Sequence, residues 1–180
     1  VPVRAGGVQG RGSLNNISSV AAGNNFAMAL RADGTVYAWG CNTSGQLGNP
    51  VTATVASSDG KIQPYATTPV QVSAGESDPV AYYITNVVRI AAGAYHAVAL
   101  RGDGKIYTWG YNGSGQLGNG TVNTSTQNNN RTSPVLVHSA DGLKASSITA
   151  GCSHTLARFK DASGTDFIGA WGLNSSWQLG

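Results

Sequence analysis

The sequence predicts an all-β protein built from repeats, and three observations support this. Nearly the same series of short segments occurs three times in 180 residues. Within each copy apolar residues recur at every second position, as in a strand with one buried face. The chain holds 25 glycines and no helical apolar stripe, which argues against long helices. Four short strands in roughly 65 residues are typical of a β-propeller blade, and such repeats stack to share a core.

The second copy shows the predicted strands most clearly. Pro69–Val72 is expected to be a short strand opened by proline, which lacks a backbone donor. Val87–Ala92 is a short apolar run that ends before a glycine. In His96–Leu100 larger residues alternate with alanine, Asp103-Gly104 supplies a turn, and Lys105–Trp109 returns with β-branched and aromatic residues. These segments predict four strands, of which the last two form a hairpin.

Two recurring pairs divide the chain, which we treat as one domain, 1–180. Trp-Gly begins at residues 39, 109 and 171, and Pro-Val begins at residues 2, 69 and 134. The repeat units predicted from these pairs are approximately 2–68, 69–133 and 134–180.

Four linked motifs carry a resemblance to a known family. Copy two contains Ala-Gly-x-x-His-x-x-Ala-Leu, Asp-Gly, Trp-Gly-x-Asn and Gly-Gln-Leu-Gly in that order. In these motifs the whole chain resembles the regulator of chromosome condensation repeat. The resemblance implies a seven-bladed β-propeller, of which about three blades are present, as an open arc or as part of a larger ring or assembly. Phe26 replaces the histidine in copy one, Trp177 replaces the first glycine of Gly-Gln-Leu-Gly in copy three, and the third hairpin lacks Asp-Gly.

The repeated residues are expected to serve the scaffold. Glycine permits turns, leucine fills the space between blades, glutamine bonds buried backbone groups, and tryptophan adds to the core between blades. The histidine is expected to be a hydrogen-bonding residue inside each blade. These positions are Gly23, Gly93, Gly151, His96, His154, Trp39, Trp109, Trp171, Gln46, Gln116, Gln178, Leu47, Leu117 and Leu179.

No catalytic, metal or cofactor site is predicted. No two carboxylates are placed by the repeat so that they must converge as acid and base. Ser153 and His154 are neighbours in a strand and therefore point to opposite faces. Lys160–Asp166 loosely resembles a calcium loop but lacks the later glutamate, so a hairpin extension is expected. Cys41 and Cys152 occupy different repeat positions two copies apart, and we expect two separate thiols.

Composition indicates location and excludes some partners. Charged residues make up only 11% of the chain, and the net charge is +3. The basic residues are scattered, so nucleic-acid binding is not expected. Low charge with abundant Asn, Ser and Thr is typical of extracellular or cell-surface proteins; the alternative is a nuclear or cytoplasmic protein. No apolar run approaches the ~20 residues of a membrane span.

Function is expected where the copies differ. The polar insertions Asn49–Thr68 and Asn119–Ser133 are expected to be loops on one rim. The candidate contact residues are Tyr65, Tyr82, Tyr83 and Trp177.

We therefore predict a non-catalytic repeat module for protein–protein interaction or self-assembly. Its partner would be an unknown protein, a further copy of the chain, or flanking repeats that complete the ring. Two alternatives stay open. The resemblance implies a guanine-nucleotide exchange factor or chromatin adaptor for a Ran-type GTPase, and the composition allows a glycan-binding module.

Overall fold

The structure is a computed structural model that describes residues 5–7, 12–50, 53–56, 62–75, 80–138 and 143–180. Within these ranges there are twelve strands and no helix, and hence no helix that could cross a membrane. The strands form three antiparallel sheets that follow one another along the chain. The prediction of an all-β repeat protein is confirmed.

The first sheet, blade 1, contains five strands in the order β1-β2-β3-β5-β4. They are β1 (Ile17–Ala22), β2 (Phe26–Arg31), β3 (Val36–Cys41), β4 (Ala53–Ala56) and β5 (Ile62–Gln71).

Blades 2 and 3 follow, with strands in sequence order. Blade 2 contains β6 (Val87–Ala92), β7 (His96–Arg101), β8 (Ile106–Gly110) and β9 (Arg131–Leu136). Blade 3 contains β10 (Lys144–Ala150), β11 (His154–Lys160) and β12 (Asp166–Gly172).

The first insertion was expected to be a loop, and this expectation is wrong for much of its length. Residues 53–56 and 62–68 belong to β4 and β5, which pair with each other. Pro69 therefore lies inside a ten-residue strand instead of opening a short one. Proline is tolerated there because the ladder between β3 and β5 is interrupted opposite it, between the pairs Ala38↔Val70 and Gly40↔Ala66.

The second insertion is a loop up to residue 130; its last three residues were also expected to be loop but belong to β9, which begins at Arg131. Asparagine side chains hold it together. The Oδ1 atom of Asn130 accepts hydrogen bonds from the backbone N–H of Asn112 (3.0 Å) and from Nδ2 of Asn123 (2.8 Å). This polar loop is therefore ordered by its own side chains.

The third hairpin has the same turn as the first, although it lacks Asp-Gly. The backbone N–H of Asp161 donates to Thr165 O (3.0 Å), as Arg31 donates to Thr35 (2.9 Å). The added length lies in the strands, since His154 pairs with Gly172, whereas His96 pairs with Gly110. Two extra residues per strand preserve the alternation of faces.

The hydrophobic core lies between the blades. One cluster joins blades 1 and 2 through residues such as Met28, Leu47 and Trp109. The other joins blades 2 and 3 through residues such as Leu100 and Phe159. Each sheet therefore buries a face against its neighbour, as the repeat pattern predicts.

Candidate interaction surfaces

The tryptophans of the second and third Trp-Gly pairs are bonded to the preceding blade. The indole Nε1 of Trp109 donates to the backbone oxygen of Gln46 (2.9 Å), and that of Trp171 donates to the backbone oxygen of Gln116 (3.0 Å). Trp109 is completely buried, whereas Trp39 and Trp171 are half-buried. The indole thus supplies both apolar area and a buried hydrogen bond at a junction.

The Gly-Gln-Leu-Gly segment forms a closed turn in all three copies. The side-chain Oε1 of Gln46, Gln116 and Gln178 accepts a bond from the backbone N–H two residues earlier, at 2.8 Å in each case. Leu47 and Leu117 are completely buried, while Leu179 in blade 3 is partly exposed.

Backbone hydrogen bonds link the blades where each Ala-Gly segment ends. The N–H of Asn24 donates to Ala94 O (3.1 Å), and the N–H of Ala94 donates to Cys152 O (3.0 Å). Gly23 and Gly93 precede these two donors, and the lack of a side chain lets the backbones of neighbouring blades come close enough to bond. A Cβ on Gly93 would lie 2.1 Å from His96 Cε1 and 2.6 Å from Gly151 O. Gly23 and Gly151 are covered in the same way by Phe26 and His154.

His96 bonds to the next blade. Its Nε2 lies 3.0 Å from Thr155 Oγ1, and that hydroxyl also donates to Gln116 O (3.1 Å). The hydroxyl hydrogen is therefore committed to a carbonyl, so Nε2 must carry the ring proton. The buried Nδ1 atom has no hydrogen-bond partner among the described residues. Burial, with a smaller effect of His154, lowers the pKa of His96 to about 4.

The remaining shifted groups are turn residues. Hydrogen bonds from Thr35 lower the pKa of Asp33, and hydrogen bonds from Ser163 and Thr165 lower that of Asp161. In the described residues no group of three His, Cys, Asp or Glu side chains could hold a metal ion. Asp59, Glu76, Asp78 and Asp141 lie outside the described residues. Cys41 is buried and Cys152 exposed, and both are free thiols.

The candidate contact residues lie on two different blades. Tyr82 is 89% exposed and Tyr83 is 44% exposed. They belong to a segment that returns along blade 1, where Ala74 N–H donates to Tyr82 O (3.1 Å). Tyr65 is half-buried and lies in β5, opposite Cys41. Trp177 is 84% exposed and follows β12 in blade 3.

Two further features were missed by the sequence reasoning. Tyr95 and Tyr111 form an edge-to-face pair with ring centroids 6.5 Å apart, and each is more than a third exposed. No sequence signal separates them from repeat residues. Arg158 stands where the other copies have Leu30 and Leu100. Aligning the three copies residue by residue identifies that difference.

The order of the motifs and the three stacked sheets agree with one known repeat. The sequence profile of the regulator of chromosome condensation (RCC1) repeat matches residues 33–100 and 103–158. A second profile of the same repeat matches residues 17–46 and 87–116. The chain belongs to the RCC1 repeat family. The predicted family is therefore confirmed, and the sheets are consecutive blades of an RCC1-type β-propeller that do not close into a ring.

RCC1 repeat relatives are much longer than this chain. Human "Probable E3 ubiquitin-protein ligase HERC6" is 29% identical over 91% of the chain and 13% of that protein. "Protein pim1" of Schizosaccharomyces pombe is 30% identical over 93% of the chain and 27% of that protein. The crystal structure of Prp20p from Saccharomyces cerevisiae superposes with a TM-score of 0.64 at 23% identity, over 92% of this chain and 35% of that one. This last similarity shows the fold alone.

Proposed function

We propose that this RCC1 repeat arc is a non-catalytic module that binds a protein partner through exposed aromatic residues. One observation carries the proposal. Side-chain bonds within or between blades occupy His96, Trp109, Trp171 and the three motif glutamines. Tyr82 and Trp177, in contrast, are large aromatics that lie exposed. Aromatic side chains of this kind dominate the energetics of protein interfaces. The units 2–68, 69–133 and 134–180 are proposed as the repeats of the module.

Photo-crosslinking tests this proposal directly. A photoreactive aromatic residue is placed at Tyr82 or at Trp177 in the protein as the cell makes it, with Val122 as an exposed apolar control position. We expect a discrete crosslinked protein from one or both test positions and none from the control. Identical crosslinks from all three positions, or none from any, would contradict the proposal.

The exchange-factor or chromatin-adaptor activity is the second candidate. Its support is the fold similarity to Prp20p, a protein described by "its binding properties to Gsp1p and histones". If the activity is present, the protein accelerates release of a labelled guanine nucleotide from a Ran-type GTPase. An unchanged release rate at a large excess of the protein would argue against it.

Glycan binding rests on the Tyr95–Tyr111 pair, since exposed aromatic rings can stack on sugar faces. A glycan array should then give hits that are lost in the Tyr95→Ala variant. An array without hits would rule against this candidate.

Composition supports a further proposal, an extracellular or cell-surface location. Intact cells treated with a membrane-impermeant amine label should then yield labelled protein. Labelling only after lysis would favour the nuclear or cytoplasmic alternative.

A further inference from the structure

Three positions set copy two apart from the other copies, and the structure brings them together at one end of blade 2. Tyr95 immediately precedes β7, Tyr111 immediately follows β8, and Gly113 lies two residues further on. The backbone N–H of Tyr111 donates to Tyr95 O (2.9 Å). The equivalent residues are Asn25, Cys41 and Thr43 in copy one and Ser153, Leu173 and Ser175 in copy three. Only copy two therefore combines two tyrosines with a glycine here.

Gly113 determines where the Tyr111 ring lies. A Cβ on Gly113 would overlap the hydroxyl oxygen and Cζ of Tyr111, so the phenol occupies the space that a side chain would need. Tyr95 meets this ring edge to face, with centroids 6.5 Å apart and an angle of 74° between the planes. Edge-to-face contact is a favoured geometry for two aromatic rings. Tyr95 and Tyr111 therefore form an ordered, L-shaped surface, which we call the tyrosine platform.

The tyrosine platform is open to a ligand. Tyr95 is 38% exposed and Tyr111 is 37% exposed. Within the described residues neither hydroxyl group makes a hydrogen bond, so each can donate to a ligand and accept from it. Blade 2 is packed against a blade on both sides. The exposure of the platform therefore does not result from an unpacked sheet face.

Uncharged polar groups flank the platform. On blades 1 and 3 the position of the first tyrosine is taken by Asn25 and Ser153. Asn112, which follows the second tyrosine, donates its backbone N–H to Oδ1 of Asn130 in the asparagine-rich loop (3.0 Å). No ion pair or cation–π contact in the described part of the chain involves either ring. Because no charged side chain is paired with the rings, the platform favours an uncharged ligand.

We propose that the tyrosine platform binds a neutral glycan whose pyranose rings carry equatorial substituents, as in β-1,4-linked glucose. Such a ring has C–H groups on both flat faces, which can stack on an aromatic ring. Its edge carries hydroxyls, which can bond to the phenol hydroxyls. The inference rests on the glycan-binding candidate of the proposed function and deepens it, because it names the ligand class and makes Gly113 a positioning residue for Tyr111.

Binding of cellohexaose, a β-1,4-linked glucose hexamer, tests the ligand class. The isotope-labelled chain is titrated with this sugar, and the amide resonances are followed by NMR. We expect saturable shifts around residues 94–96 and 110–113. In Tyr95→Ala and in Tyr111→Ala the Kd should rise at least about tenfold, because truncation removes stacking area. Tyr82→Ala is the matched control, since it removes an exposed tyrosine from blade 1 and should leave the Kd unchanged.

Gly113→Thr, which copies the first repeat, tests the positioning role. Its side chain would displace the end of the Tyr111 ring instead of backbone atoms, so we expect a urea midpoint close to that of the wild type. Its Kd for cellohexaose should nevertheless rise about as much as in Tyr111→Ala. The double variant Gly113→Thr/Tyr111→Ala should bind no more weakly than Tyr111→Ala, because both changes act through one ring.

An acidic sugar of the same linkage tests the preference for a neutral ligand. A β-1,4-linked glucuronic acid hexamer differs from cellohexaose by a carboxylate on each ring. At an ionic strength of about 0.15 M, which screens the net charge of the chain, we expect it to bind at least about fivefold more weakly than cellohexaose.

The proposal is overturned if cellohexaose causes no saturable shifts at millimolar concentration, if binding survives both alanine variants, or if the acidic hexamer binds equally well. Wild-type binding by Gly113→Thr would reject the positioning role. Array hits on other sugars that are lost in Tyr95→Ala would keep the glycan-binding candidate and reject only this ligand class. Crosslinks from Tyr82 or Trp177 test the protein-binding function independently of all these results.

Discussion

At the residue scale, glycine and histidine act together at the blade junctions. Gly93 lacks a side chain because the His96 ring and the backbone oxygen of Gly151 occupy that space. His96 is completely buried, and its Nε2–H donates a hydrogen bond to Thr155 in the next blade. The buried polar ring is accommodated because Nε2 is hydrogen-bonded to Thr155; Phe26 and His154 cover the equivalent glycines in the other copies.

His96 makes stability depend on pH. The unfolded side chain takes up a proton near its ordinary pKa of 6.5, and the folded one only near 4. The unfolded state therefore binds more protons between these values, so the free energy of unfolding falls as the pH falls from about 6.5 to 4, by about 3 kcal/mol. Urea unfolding at several pH values measures this. His96→Phe, which copies the first blade, should remove most of the loss; an unchanged pH dependence would contradict the assignment.

Gly93→Ala tests the close approach. Its Cβ would meet the backbone oxygen of Gly151, which cannot move without shifting blade 3. We expect a loss of about 3 kcal/mol, at the upper end of overpacking costs. Gly6→Ala is the matched control, because no atom lies within 4 Å of its Cβ. Equal urea midpoints for the two variants would show that the junction relaxes.

At the element scale, the junction between two blades depends on a bond that joins the strand β8 to the turn after β3. The Gln46 carbonyl receives its hydrogen bond from the buried Trp109 indole. The turn is rigid, since Gln46 Oε1 and the Asn42 side chain bind its backbone N–H groups. The turns after β3 and β8 are thus ordered by their own residues and then bound by the next blade.

Trp109→Phe should weaken this junction. The variant leaves the buried Gln46 carbonyl without its donor, which costs about 1–3 kcal/mol. Trp39→Phe is the control, because the Trp39 indole has no hydrogen-bond partner in the described part of the chain. Chemical denaturation of both variants measures the loss in the free energy of unfolding. The prediction is wrong if Trp39→Phe costs as much as Trp109→Phe.

At the scale of the whole molecule, the chain is a one-dimensional array in which blade 2 is packed on both sides. One core cluster joins it to blade 1 and the other joins it to blade 3. Among the described strands, β12 is paired on one side only, whereas its counterpart β8 is paired on both. Local stability in such arrays follows the number of packed neighbours.

Hydrogen exchange should therefore be slowest in blade 2. We expect the amides of β7 and β8 to exchange at least tenfold more slowly than those of β12 in the isolated chain. Mass spectrometry of peptide fragments, with deuterium uptake followed over time, measures this difference. Uniform protection across the three sheets would indicate a single cooperative unit.

The sequence alone predicted the sheets, the hairpins and the repeat family, because each depends on local alternation, turn residues and recurring spacing. It failed at β4 and β5, since a polar insertion carries no strand period that separates it from a loop. It placed the histidine bond inside a blade, whereas His96 bonds across to Thr155. It proposed candidate contact residues where the copies differ, both in the non-repeating segments and at Trp177, and these stay predictions.

Only the tertiary structure decided which repeat residues face another blade and what they touch there. Leu30, Leu100 and Arg158 are equivalent in sequence, but the packed sheets show that the first two lie in a core, while the side chain of the third is exposed in this structure. The distance from Gly45 to the outer strand of the next blade likewise exists only once two sheets are stacked. Local patterns determine elements because strand and turn preferences are set by near neighbours, whereas contacts between blades join residues far apart in sequence.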